Sequence, residues 1–283
     1  MIIWLASYPK SGNTLVRSML SAYLFSKDGK FNFDLLKNIR KFPDFGVFKN
    51  LGVDITDENE VVKNYIYVQK EINKRDGNSI RFLKTHAALN DINGHKFTDL
   101  KNTLGAIYIV RDPRKIVLSY ANHSQITLNE SLDRLIELRT LGGEKDEQNQ
   151  SVTHVGSWSS NYQSWKEFKK IKKYLLIKYE DLIYDKKNTI LKVFEFIGKL
   201  LNQNIAVDDN KLKKCIVSTD FKKMKSLEIK ETFYEAPLDT KNGGRKPFFK
   251  LGPNNDYKKL LDKKNRDKIE KHFKLEMSEL GYI

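Results

Sequence analysis

The stretch IIWLASYPKSGNTLVRSMLSAYLF, Ile2 to Phe25, decides how the rest of the chain is read. It opens as an apolar run, Ile2-Ile3-Trp4-Leu5-Ala6. It then turns polar through Ser7-Tyr8-Pro9-Lys10-Ser11-Gly12-Asn13-Thr14. Helical spacing follows, with Leu15, Met19, Ala22 and Tyr23 on one face. A short apolar run bounded by turn residues fits a buried parallel strand. Pro9 and Gly12 punctuate the turn. The loop feeds a helix N-terminus, where free N–H groups and the positive dipole end attract an anion. Lys10 adds a full charge, and Ser11, Asn13 and Thr14 add donors, so strand, loop and helix predict a phosphate site.

The loop is not of the G-x-x-x-x-G-K-[ST] type, because its lysine precedes the glycine by two positions instead of following it. A plain helix cap with a chance lysine remains the alternative for this stretch alone.

Outward from that stretch the chain alternates. Ser79 to His86 reads as a second strand with a polar end, which would put His86 where parallel sheets carry their chemistry. Ala106 to Val110 is the clearest central strand. Arg111 follows at its end, Asp112 is a good N-cap and Pro113 a good first helical residue. The helix continues with Ile116, Val117 and Tyr120 toward the core, and Ser119 lies two turns in. Trp158 to Ile171 reads as an amphipathic helix through Trp158, Tyr162, Trp165 and Phe168. Tyr174 to Lys178 is another buried strand, followed by Tyr179-Glu180-Asp181-Leu182 and a helix carrying Ile190, Val193, Phe194 and Ile197. This order predicts an α/β fold, a parallel sheet with helices on both faces. Residues 1–283 read as one domain, with a variable cap over 26–77 and a mobile loop over 124–155. In the cap, Phe31, Phe33, Phe42, Phe45 and Phe48 either touch substrate or pack as ordinary core, and Asp57 to Lys74 reads as a helix. In the loop, Leu132, Leu135, Ile136 and Leu138 form a short amphipathic piece, and Gly142 to Gln148 reads as a lid. A final helix spans about Lys264 to Leu280.

The 283 residues can bury about three quarters of the unfolded surface, enough for one large core. Apolar content of 40% is that of a globular protein rather than a disordered one. The net charge of +15 favours anionic partners. Lysine is spread along the whole chain, which argues for a general bias over one nucleic-acid patch. With Cys215 alone, no internal disulfide forms. No signal peptide or membrane-spanning run is visible, so a cytoplasmic setting is expected. No His/Cys cluster suggests a metal.

Several stretches now match one family in order. YPKSGNT (8–14) resembles the 5'-phosphosulfate loop of sulfotransferases that use PAPS, 3'-phosphoadenosine 5'-phosphosulfate. FLKTH (82–86) resembles their strand bearing the catalytic histidine, and IYIVRDPRKIVLSY (107–120) their 3'-phosphate strand and helix. HVGSW (154–158) and KYEDL (178–182) resemble later landmarks, and STDFKKMK (218–225) the segment against the adenine. The WLASYPKSGNT opening is most similar to small bacterial members acting on natural products.

The resemblance implies a P-loop-like sulfotransferase fold. It implies transfer of a sulfuryl group from PAPS, leaving PAP (the 3',5'-bisphosphate), to a hydroxyl, or else an amine, of a small-molecule or natural-product acceptor. His86 would be general base, with Lys10 and Lys84 neutralising charge on the leaving phosphate. The donor would contact Lys10, Ser11, Gly12, Asn13 and Thr14 at one end and Arg111 and Ser119 at the other. Tyr179, Thr219, Phe221 and Met224 would lie near the adenine. The C-terminal region departs from the family's Arg-Lys-Gly then Trp. Its nearest match is Phe249-Lys250-Leu251-Gly252 with Tyr257, so Lys250 and Gly252 are one candidate contact and Arg245-Lys246 the other. His95, His123, His154 and His272 lack a comparable setting. The rivals are an ATP-dependent phosphotransferase and a basic nucleic-acid-binding protein. No Mg²⁺ carboxylate follows a strand to favour the first, and no nucleic-acid motif favours the second. The acceptor and the oligomeric state stay open.

Overall fold

Four parallel strands build the sheet in the computed structural model, which describes residues 1–75, 79–141, 152–239, 243–252 and 255–283. They are β1 (Ile2–Ser7), β2 (Arg81–Thr85), β3 (Thr103–Val110) and β4 (Tyr174–Lys178). Their order is β2-β1-β3-β4. Trp4 pairs with Leu83 on one side and Ala106 on the other, and Tyr108 pairs with Leu176. All of β1 is buried, because both of its faces are covered.

The period-2 alternation of β1 and β3 divides the core. Ile2, Trp4, Ala6, Ala106, Tyr108 and Val110 face one layer, whereas Ile3, Leu5, Ile107 and Ile109 face the other. Helix α1 (Asn13–Phe25) covers the second face. Helices α2 (Tyr65–Arg75), α3 (Pro113–Ser124), α4 (Leu128–Ile136) and α5 (Trp158–Trp165) cover the first. After β4 come α6 (Tyr179–Tyr184), α7 (Lys186–Leu201), α8 (Asp209–Ser218) and α9 (Phe221–Lys230), of which α7 to α9 pack on the α1 side. Helix α10 (Lys263–His272) returns to the first face. Trp4 anchors the centre, its indole donating to Thr103 Oγ1 at 2.9 Å.

Local chemistry accounts for the element ends. Asp112 caps α3 by accepting from the Arg114 amide, with Pro113 in the first turn. Thr127 and Glu130 form a reciprocal capping box on α4.

Several sequence expectations need correction. Helix α1 buries Met19, Ala22 and Tyr23 of its expected face, leaves Leu15 half-buried, and buries Val16, Arg17, Ser18, Leu20 and Ser21 besides, because the sheet, the 33–38 segment and α8 pack around it. The expected helix 57–74 is broken at Asn64 into Glu58–Lys63 and α2, yet Val61, Tyr65 and Val68 are buried as their spacing requires. Leu138 is 78% exposed, since α4 ends before it. The last helix is divided at Phe273, which is itself buried. The expected lid 142–148 lies outside the described residues.

Candidate active site

Parallel strands deliver their C-terminal ends to one edge of the sheet, and each strand here ends beside a residue singled out above. The loop 8–12 leaves β1, His86 follows β2 at once, Arg111 follows β3 and Tyr179 follows β4. All of these ends open on a cleft of about 1040 Å³. Lys10, Gly12, Asn13, Thr14, Lys84, His86, Arg111, Ser119, Tyr179, Thr219, Phe221, Met224 and Gly252 line it.

The loop is held by backbone geometry. Lys10 adopts φ 67° and Gly12 φ 100°. Gly12 is required twice over: its φ is left-handed, and a Cβ there would overlap the Tyr179 ring. No side chain caps α1; the Leu15 amide turns back to the Gly12 carbonyl at 3.0 Å, so the Asn13 and Thr14 N–H groups at its start are the ones left for a ligand. Asn13 behaves differently from expectation. Its amide donates to the Leu5 carbonyl at 2.8 Å and Ser7 Oγ at 3.2 Å, so those donors tie the loop to β1. Ser11 is buried outside the cleft lining, and its Oγ has no partner.

Arg111 is buried and stacks its guanidinium 4.2 Å over the Tyr179 ring. Its Nη1 donates to the Lys10 carbonyl at 3.1 Å, and its Nε has no partner. Leaving a buried guanidinium N–H unmet is costly unless an anion completes it. Arg111, the loop and the open N-terminus of α1 therefore fit a phosphorylated ligand.

His86 Nδ1 lies 2.8 Å from the Ser7 carbonyl and 3.2 Å from Ser7 Oγ. A carbonyl only accepts, so Nδ1 carries the proton and Nε2 keeps its lone pair. Burial and then the Lys84 charge lower the His86 pKa to about 3. Lys10 is lowered to about 7, by burial first and then by Lys84 and Arg111. Its Nζ sits 4.2 Å over the Phe248 ring. Lys84 is also lowered by burial, a shift opposed by Glu235 at 3.5 Å.

Glu235 is the residue that sequence reading missed. It is paired with both Arg17 and Lys84 across the cleft. Burial alone would raise its carboxyl, but those two cations hold it at about 2. His123, set aside in the sequence, lines the cleft too. Its ring is edge-on to Phe248, and burial followed by Lys10 lowers its pKa to about 3.

At the C-terminal side, Lys250 is exposed and does not line the cleft, whereas Arg245 does. The reason is a contact from α9: Glu228 accepts from the amides of Phe248 and Phe249 at 2.6 and 3.0 Å and turns both rings inward, leaving the next residue outside. Gly252 does line the cleft, under the Phe221 ring that a Cβ there would overlap. Tyr257 instead stacks on Arg114 at 4.3 Å. Of the five cap phenylalanines only Phe42 lines the cleft. Phe31, Phe33 and Phe48 are buried in the two core layers. Among the described residues no cluster of His, Cys, Asp and Glu is suited to a metal, and no helix is long and apolar enough to cross a membrane.

Sulfotransferase 1A1 of Rattus norvegicus is 26% identical over 206 residues, 71% of this chain and 64% of its own length. The luciferin sulfotransferase of Photinus pyralis is 27% identical over 214 residues, again 71% of this chain but 52% of its own. The flavonol 3-sulfotransferase of Flaveria bidentis is 22% identical over 99% of this chain and 83% of its own length. The chain thus spans between half and two thirds of the first two relatives. Among solved structures, a mouse sulfotransferase complexed with PAP superposes with a TM-score of 0.56 at 21% identity, covering 97% of this chain and 84% of that one. A retinol dehydratase complexed with androsterone and PAP gives 0.54 at 14% identity, covering 98% and 80%. The sulfotransferase domain family itself matches residues 2–281. From its first strand to its last helix, the chain belongs to the sulfotransferase family.

Proposed function

We propose that the protein transfers a sulfuryl group from PAPS to a hydroxyl of a small-molecule acceptor, with an amine as the second choice. The observation that carries this reading is the convergence of the β1 loop, His86 and Arg111 on one cleft, with a buried Arg111 Nε left unmet. Lys10, Gly12, Thr14 and the open end of α1 would hold the 5'-phosphosulfate. Arg111 and Ser119 would hold the 3'-phosphate, where the arginine fork matches phosphate oxygens. Tyr179, Thr219, Phe221 and Met224 would flank the adenine. Thr219 donates its own hydroxyl to the Cys215 carbonyl, so it would serve as a wall.

In the reaction, the acceptor oxygen attacks sulfur. The new O–S bond forms as the bond from sulfur to the bridging oxygen breaks, and the bonding pair leaves with PAP. His86 Nε2 takes the hydroxyl proton. Its low pKa in the free protein reflects burial and two lysines, and the negative charge of the bound donor offsets both lysines. Lys10 and Lys84 would neutralise charge growing on the bridging oxygen. Glu235 would keep Lys84 oriented and charged. A buried free thiol at Cys215 is compatible with a reducing, cytoplasmic setting.

The test is incubation with sulfur-labelled PAPS and a panel of phenols and alcohols. The reading requires label in an acceptor with matching release of PAP. Phosphoryl transfer from ATP without PAPS turnover would overturn it.

A further inference from the structure

We propose that the acceptor carries, besides its reacting hydroxyl, a negatively charged group that is recognised by Arg40, Lys41 and Arg134. The inference rests on the sulfotransferase reading of the cleft and specifies its acceptor end.

Strand order separates the two ends. The β1 loop is central, with Arg111 and Ser119 on the β3 flank and Lys84 and His86 on the β2 flank. Arg40 and Lys41 run along β2. The Lys84 amide donates to the Arg40 carbonyl at 2.8 Å, the Phe42 amide donates to the Lys84 carbonyl at 2.7 Å, and Lys41 bridges Lys84 in parallel. These two cations therefore stand beside the catalytic histidine, on the side away from the 3'-phosphate residues. Arg134 approaches from α4, where its carbonyl accepts the Tyr8 hydroxyl at 2.8 Å and its guanidinium lies over Tyr120. All three line the cleft.

None of the three has a carboxylate within ion-pair distance among the described residues, unlike their neighbours. Lys37 is paired with Asp34, and Arg17 and Lys84 share Glu235. The acids of this end are committed elsewhere: Glu235 to those two cations, Asp44 to the Val47 amide at 3.1 Å, and Glu130, which feels the Arg134 charge beyond ion-pair distance, to the Thr127 amide and hydroxyl at 2.7 and 2.8 Å. Lys41 also adds to the positive charge facing Lys84. Cations gathered in a cleft focus a field that draws anions and raises their local concentration. Arg40 and Arg134 supply forks suited to carboxylate, phosphate or sulfate oxygens. Leu36, Phe42, Tyr120 and Leu141 line the cleft as well, so the charged group would accompany an apolar acceptor body.

The experiment titrates PAP-saturated protein with four phenols matched in ring size: 4-ethylphenol, 4-hydroxyphenylacetate, 4-hydroxyphenyl phosphate and 4-hydroxyphenyl sulfate. At least one anionic member should bind about tenfold or more tightly than the neutral one, as expected for a charge-assisted contact. Which member does so separates carboxylate from phosphate and sulfate recognition. Arg40→Ala, Lys41→Ala and Arg134→Ala should each weaken that member several-fold, leaving 4-ethylphenol and PAP affinities unchanged. No anionic member binding at millimolar concentration, equal binding of the neutral phenol, or an equal loss for neutral and anionic members in the variants would each overturn the inference. Failure of PAP itself to bind would instead overturn the donor reading beneath it.

Discussion

His86 is a neutral imidazole at pH 7 whose protonated nitrogen is committed to Ser7, and the consequence is that its Nε2 is left as a proton acceptor in the cleft wall. Replacing His86 with Ala should lower kcat by roughly 10²- to 10⁴-fold, the usual worth of a positioned base, with PAP affinity unchanged. Near-normal turnover in that variant would remove the base assignment. Lys10 gives a pH prediction. Its folded pKa of about 7 lies below its ordinary 10.5, so above pH 7 the free protein carries it neutral and the donor must draw a proton onto it. PAP affinity should decline as pH rises from 7 to 9. Calorimetry in two buffers of different ionisation heat should find proton uptake over that range, and equal heats in both buffers would contradict it. His86 and His123 act on stability. Both have folded pKa values of about 3 against an ordinary 6.5, so their contribution is complete above 6.5 and is lost as pH falls toward 3, where the unfolded chain binds protons the fold refuses. The Tm of ligand-free protein should fall from pH 6.5 to 4, and less so in His123→Phe. An identical slope in that variant would exclude His123 as a source.

At the scale of elements, the β1 loop and α6 are built against each other. The positive φ of Gly12 lets the Tyr179 ring lie against the loop, and Arg111 stacks on the other side of that contact network. Gly12→Ala should therefore weaken PAP binding and lower Tm by several degrees, since a left-handed alanine alone costs about 1 kcal/mol and the ring must also move. An unchanged Tm would mean that the loop relaxes freely. The strand–loop–helix unit is readable because its signals are local: a five-residue apolar run, Pro9 and Gly12 as punctuation, then helical spacing. The caps of α3 and the strand ends carrying His86 and Arg111 were readable for the same reason. What sequence could not give is the ion triad, because Arg17 and Glu235 are 218 positions apart and only the fold joins them. Lys250 was misplaced by a different physical cause. That Phe248 and Phe249 turn inward and Lys250 outward depends on Glu228, 20 positions earlier in α9, and not on the local motif. The breaks at Asn64 and Phe273 were equally hidden, since the apolar spacing continues across both.

Across the whole molecule, the sheet order puts the two proposed ends of the site on opposite flanks of one central loop. Arg111 and Ser119 stand on the β3 side, His86 and Lys84 on the β2 side, and Lys10 between them. The excess positive charge is spread along the chain, yet within this cleft it is ordered, with some cations paired to Glu235 and others unpaired. On the proposed function, this arrangement reads an adenosine nucleotide bearing phosphates at both the 3' and the 5' positions. The direct measurement is calorimetric titration with PAP, ADP and ATP, repeated on Arg111→Ala. PAP should bind at least about tenfold more tightly than ADP or ATP, and most of this preference should disappear in the variant, as loss of a charge-assisted phosphate contact requires. Equal affinity for PAP and ADP in the unaltered protein would contradict it.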